Sequence, residues 1–98
     1  MRIELAPRAV RDAERREGWW RENRPAAQRL FDDELREALA FIAREPQLGS
    51  VYRSPSGREH RRVLMPGTRH HVYYRIVGAD LVWVVAVWNA VAGRGPAL

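Results

Sequence analysis

The chain has 98 residues, 17 basic and 12 acidic side chains, a formal charge of +5 and no cysteine. That length suits one small domain, residues 1–98, burying about 60–65% of its unfolded surface. Disulfides and thiolate metal sites are excluded. The longest apolar run, eight residues from Leu81 to Trp88, falls well short of the roughly 20 needed to span a bilayer.

Arg2-Ile3-Glu4-Leu5 alternates polar and apolar, which predicts a short strand with Ile3 and Leu5 on the core side. No apolar leader follows Met1, so the expectation is a soluble cytoplasmic protein with no membrane contact. Pro7 suits the first turn of a helix. Ala6 stands where a capping Ser, Thr, Asp or Asn would add about 1 kcal/mol. Arg8 to about Glu22 reads as the first helix, with Val10, Ala13 and Trp20, joined by Ala9, near one face. Arg8–Asp12, Asp12–Arg16 and Glu17–Arg21 have the i,i+4 spacing of helical ion pairs, and Gly18 weakens the end. Trp19 and Trp20 point about 100° apart. One belongs to the core; the other is a rim residue or a partner contact.

Asn23-Arg24-Pro25 breaks the pattern. A second helix is predicted from Pro25 to about Arg44, with Ala27, Phe31, Leu35, Ala38 and Ile42 on one face and Leu30, Leu39 and Phe41 widening it. Asp32, Asp33, Glu34 and Glu37 have no histidine among them and sit near Arg29 and Arg36. They read as a solvated face, not a metal site. Pro46 ends the helix. Gln47 to Gly57 reads as a loop, with Val51 and Tyr52 pinning it to the core.

Arg58 to Trp88 then reads as three strands separated by Pro66-Gly67-Thr68 and Gly78-Ala79-Asp80. In the middle strand His70, Val72, Tyr74 and Ile76 share the core face. His71, Tyr73, Arg75 and Val77 share the other, a row suited to binding. The wholly apolar last strand predicts cover on both faces or a place inside the sheet. Asn89 to Leu98 reads as a frayed tail. The predicted fold is α+β: an N-terminal strand, a helical hairpin and a three-stranded antiparallel meander (β-α-α-β-β-β), with the helices on one sheet face.

All the basic residues are arginine. Coding bias is the plain explanation, and the chemistry is the same either way. Arginine clamps carboxylates and phosphates with a planar fork, stacks on aromatics, and stays protonated. Arg58, Arg61, Arg62, Arg69 and Arg75 surround the strands, and a basic small protein suits an acidic partner.

The order and spacing of several short motifs resemble the RelE/ParE superfamily of type II toxin–antitoxin toxins over nearly the whole chain. These are Leu5-Ala6-Pro7 with Ala9 and Asp12, Asn23-Arg24-Pro25-Ala26-Ala27, Phe31, Leu35, Leu39, and Pro46 with Leu48-Gly49. The most specific part is Arg61-Arg62 followed by His70-His71-Val72-Tyr73-Tyr74-Arg75-Ile76-Val77. The resemblance implies a cognate antitoxin with an acidic, partly disordered segment, contact with operator DNA only through that antitoxin, and no cofactor or metal. It implies one of two activities. RelE-like members cleave mRNA in the ribosome; ParE-like members poison DNA gyrase.

A nuclease would draw on Arg61, Arg62 and Arg75 as phosphate clamps and on His71 and Tyr73, beside His70 and Tyr74, for proton transfer. No residue suited to carrying a proton follows Trp88, which favours the ParE-like reading. The residues expected to bind target or antitoxin are Arg58, Arg61, Arg62, Arg69, His71, Tyr73, Arg75, Trp88 and Arg94. Arg61 and Arg62 are adjacent and face opposite ways, so only one serves a given site. Arg75 serves equally as a bridge between strands. A non-toxic nucleic-acid-binding module is a third reading, disfavoured because the aromatics pattern as core rather than as a stacking platform.

Overall fold

A computed structural model describes residues 1–98. In chain order it contains β1 (Arg2–Leu5), α1 (Pro7–Asn23), α2 (Leu30–Arg44), β2 (Ser50–Arg53), β3 (Glu59–Met65), β4 (His70–Ile76) and β5 (Leu81–Asn89). They form an α+β fold with one open sheet in the order β1-β5-β4-β3-β2. β1 runs parallel to β5, and the other pairs are antiparallel. α1 packs over β5 and α2 over β3, on the same side of the sheet. No helix is long and apolar enough to cross a membrane.

Two boundaries depart from the sequence reading. Pro25–Ala27 is a separate 3-10 turn, and α2 begins at Leu30. The Trp20 indole N–H donates to the Ala27 carbonyl at 2.8 Å, so that carbonyl is held by a side chain and does not extend the helix. The stretch read as a loop from Gln47 contains β2, paired with β3 from Ser50↔Arg62 to Arg53↔Glu59. Gly57 closes the hairpin at φ 85°, a backbone that glycine adopts without strain. Tyr52 is half-buried, as expected of an anchor, whereas Val51 is exposed.

The core is a contiguous cluster that includes Ala9, Phe31, Ala38, Ile42, Met65, Val72, Tyr74, Val82, Val84 and Val87. Burying a side chain such as Phe31 or Ile42 contributes about 1.5–3 kcal/mol. Val10, expected inward, is 40% exposed, and Ala9 is buried in its place. The face of α1 against the sheet is Ala9, Asp12 and Arg16, spaced three and four residues apart, which turns Val10 away.

The eight-residue apolar run is now explained. Its strand β5 is interior to the sheet, between β1 and β4. Tyr73 pairs with Ala86 and Tyr74 with Val84, so Val85 is an extra residue. Such a bulge reverses the alternation: Val82 and Val84 face the helices before it, and Val87 after it. Trp83, Ala86 and Trp88 share registers with Arg75, Tyr73 and His71 on the opposite face.

That opposite face is not bare, and the last residues of the chain are not frayed. Tyr52 Oη donates to the Pro96 carbonyl at 3.1 Å, and Trp88 Nε1 to the Arg94 carbonyl at 2.9 Å. Arg8 Nη1 reaches Ala97 O at 2.7 Å, and Ser56 Oγ reaches Leu98 O at 2.8 Å. Gly95 allows the approach, since a Cβ there would collide with the Tyr52 ring and hydroxyl. Residues 94–98 are a strap across the outer face.

Candidate functional site

Strand alternation and register place Arg62, His71, Tyr73 and Trp88 side by side on the outer face, because Arg62 pairs with Tyr73 and His71 with Trp88. With Arg94 from the strap they line a hollow of about 220 Å³. The Arg62 guanidinium lies 5.4 Å from the Tyr52 ring centre and 5.9 Å from that of Tyr73. Its Nη1 donates to Tyr73 Oη at 3.2 Å, while its Nε is buried with no partner. Tyr73 is only 1% exposed, and its ring meets the edge of Tyr52 at 4.9 Å and of His71 at 5.9 Å. Burial, with help from the Arg62 charge, pushes the His71 pKa down, so its neutral form is favoured. Arg94 contributes its backbone carbonyl to Trp88 and leaves its side chain exposed.

The other expected residues lie elsewhere. Arg61 Nη1 donates to Gln47 O at 3.0 Å and Gly49 O at 2.8 Å, so it secures the turn before β2. With Arg75, Gln47, Glu59 and His60 it borders a second hollow of about 240 Å³. Arg58 is exposed where β3 begins after the hairpin turn, and Arg69 is exposed in the turn between β3 and β4. Of the nine expected binding residues, five therefore converge (Arg62, His71, Tyr73, Trp88 and Arg94) and four do not.

A third hollow, of about 410 Å³, opens on the helix side between the end of α1, the β3–β4 turn and the end of β5. Arg16, Trp19, Trp20, Arg69, His70 and Val91 border it. Trp20 is the inner member of the tryptophan pair and Trp19 the outer one, 49% exposed. Arg24 covers both rings, 5.1 Å from Trp19 and 5.7 Å from Trp20. His70 is buried with Nδ1 3.0 Å from Thr68 O and its ring edge-on to Phe31 at 5.3 Å. Burial first, then the Arg16 charge, pushes its pKa down.

Two carboxylates do work that the sequence did not reveal. Asp12 is buried and accepts a strand amide, Val87 N–H, at 3.1 Å. Glu34, read as part of a solvated face, accepts the Gly67 N–H at 2.6 Å and the Thr68 N–H and Oγ1–H, each at 2.9 Å. It holds the β3–β4 turn against α2. Asp32 does pair with Arg36, at 2.9 Å, on the exposed side. The sequence signal for Glu34 was thin: a Pro-Gly-Thr turn has unpaired amides, but nothing local says which acid reaches them.

Residues 3–91 match the model of a family described as "ParE toxin of type II toxin-antitoxin system, parDE". The chain belongs to the ParE toxin family. No curated protein matches it significantly. The family is that of type II toxin–antitoxin toxins, and membership implies a cognate antitoxin. The family match spans both helices, β2 to β5, β1 from Ile3, and every expected site residue except Arg94.

Proposed function

We propose that this ParE-family toxin arrests growth by binding a target protein, DNA gyrase, and not by cutting RNA. The observation that supports this reading is the burial of Tyr73, 1% exposed beneath Tyr52, Arg62 and the 94–98 strap. A nuclease built on the outer face would need its hydroxyl and its phosphate clamp open to a strand of RNA. Here the Tyr73 hydroxyl is engaged by Arg62, and Arg61 is engaged by two carbonyls of its own chain. A set of side chains so committed suits a rigid surface better than a proton-transfer site.

On this reading the toxin works in the cytoplasm, where gyrase acts. It is silenced there by an acidic antitoxin that complements its charge of +5, and it meets operator DNA only through that antitoxin. The test is gyrase supercoiling of relaxed plasmid with the purified toxin, with and without antitoxin. Supercoiling should fall with toxin and recover with antitoxin. Full supercoiling at saturating toxin, together with new 5′ ends on ribosome-bound mRNA, would replace the proposal with the RelE-like endoribonuclease.

A further inference from the structure

We infer that the hollow between the end of α1, the β3–β4 turn and the end of β5 is where the antitoxin docks. The occupant is an acidic segment with one bulky apolar side chain; this rests on the toxin–antitoxin reading above. The hollow measures about 410 Å³, within the roughly 300–1,000 Å³ of pockets that enclose a compact group. Its apolar walls are unfinished: Trp19 is 49% exposed and Val91 62% exposed. Large apolar groups flanking a concavity are the material of interface anchors, and Trp and Arg dominate such anchors.

The charge selects the partner. Arg16 and Arg69 border the hollow, Arg24 lies over the tryptophans, and no carboxylate lines it. The two acids that act on its lining are both engaged: Glu34 accepts from the Gly67 and Thr68 amides and the Thr68 hydroxyl, and Asp12 accepts from Val87 N–H and pairs with Arg8 and Arg15. An acidic segment that inserts one apolar side chain between Trp19 and Val91 brings its carboxylates within reach of these guanidinium groups. The larger groove between α1 and α2, about 620 Å³, mixes Glu14, Glu17 and Asp32 with Arg21 and Arg29, and Arg21 is paired with Glu17, so it offers an acidic segment less free positive charge.

Arg69 is held ready for this. It is the only non-glycine residue with positive φ, at 63°. Its N–H donates to Met65 O at 2.9 Å and its carbonyl accepts from Ala90 at 2.8 Å, so the backbone is fixed on both sides. A left-handed arginine costs stability that glycine would not. The side chain is exposed and forms no ion pair within the chain. The fold thus keeps a strained cation at the mouth of an apolar hollow, presented from a rigid platform that needs little further ordering on binding.

The strain also supplies the test. Arg69→Gly removes the cation while relieving the backbone, so the variant stays folded, and Trp19→Ala removes the exposed wall. Full-length cognate antitoxin is titrated against each toxin by calorimetry. Each variant should bind about tenfold more weakly or worse. Arg44→Ala, which removes one charge from the exposed far end of α2, should change affinity by less than about fivefold. Equal weakening by Arg44→Ala and Arg69→Gly, or wild-type affinity in both hollow variants, would overturn the docking site alone. Displacement of the antitoxin by a short oligonucleotide that no longer binds Trp19→Ala would overturn it in favour of a nucleic-acid site. Failure of the wild-type toxin to bind would overturn the toxin–antitoxin reading and the site with it.

Discussion

Asp12 stands in for a missing strand at Val87. β1 pairs with β5 only as far as Leu5↔Val84, which leaves the next stretch of β5 paired with β4 alone and open on the β1 side. There the Asp12 carboxylate, 3% exposed, accepts the Val87 N–H at 3.1 Å, and Arg16 Nε donates to the Val87 carbonyl at 3.3 Å. One turn of α1 thus supplies both halves of a ladder rung. Arg15 at 3.1 Å and Arg8 at 3.5 Å balance the buried charge. Arg8 and Arg16 also lie over the Trp88 ring, at 5.7 and 5.9 Å.

Asp12→Ala should therefore cost far more than an exposed ion pair. It orphans a buried amide and leaves three arginines facing one another, a loss of about 3 kcal/mol on mutational precedent for such groups. Asp12→Asn keeps an acceptor for Val87 and should cost about half as much. Urea unfolding of the two variants gives the comparison. Equal, small losses would show that β5 needs no partner there.

Stability should fall on acidification through the histidines. In the folded chain the pKa of His70 is pushed below 6.5 by burial and by Arg16 and His71, against the opposing pull of the Thr68 carbonyl and Glu34. His60 and His71 are shifted in the same direction, each chiefly by burial. The unfolded chain takes up these protons near pH 6.5 and the folded chain resists them, so the stability is complete above about pH 6.5 and is lost as pH falls through the folded values. The melting temperature should drop between about pH 7.5 and pH 5, and His70→Gln should flatten that drop. An unchanged pH profile in His70→Gln would remove His70 from the account.

Gly49 should resist substitution. A Cβ there would collide with the Tyr74 hydroxyl, which donates to Pro46 O at 2.7 Å and accepts from Gly49 N at 3.2 Å. Tyr74 is fully buried and its hydroxyl is held by both hydrogen bonds, so it cannot move aside without breaking them. Gly49→Ala should lose about 1–3 kcal/mol, whereas Gly18→Ala, with open space around its Cβ, should gain up to about 1 kcal/mol of helix propensity. Thermal melts of the two variants should move in opposite directions.

The two sides of the sheet were unequally legible in the sequence. Phe31, Ala38 and Ile42 announce a core face because their spacing is set by one local period. β4 likewise divides as its alternation predicts, with Val72 and Tyr74 against the helices and His71 and Tyr73 outward. The outer cluster was half visible: Arg62, His71, Tyr73 and Trp88 stand on strands of known alternation. What no local pattern carries is the partner. Arg61 looked equivalent to Arg62, yet it is spent on the carbonyls of Gln47 and Gly49. The strap looked disordered because glycine and proline usually mark loose ends; here the missing Cβ of Gly95 is what lets Tyr52 hold it. β2 was hidden because it is an edge strand with no buried face to show as alternation, set among the glycine, serine and proline of a loop.

The strap itself can be removed. Deleting residues 94–98 takes away the carbonyls held by Tyr52, Trp88, Arg8 and Ser56 and uncovers Tyr73. Each hydrogen bond is worth about 1 kcal/mol net, less where exposed. The shortened chain should lose about 2–3 kcal/mol and gain a red-shifted fluorescence component from Trp88. An unaltered emission spectrum would mean that Trp88 is covered by Arg8 and Arg16 alone.

Tyr73→Phe separates the two modes of toxicity. The substitution keeps the ring against Tyr52 and His71 and deletes the hydroxyl that Arg62 reaches at 3.2 Å. Because the Arg62 Nε is already without a partner, losing the one acceptor its guanidinium has should cost about 1 kcal/mol of stability. The fold survives that loss, so the growth readout stays interpretable. A toxin that works by surface binding keeps its potency within a few-fold, since the shape of the outer face is unchanged. A nuclease that uses this hydroxyl for proton transfer should lose about 10²–10⁴ in rate. Growth arrest retained in Tyr73→Phe, with gyrase inhibition retained in parallel, is the expected result. Arrest abolished in a variant that melts like the wild type would return the outer face to catalysis.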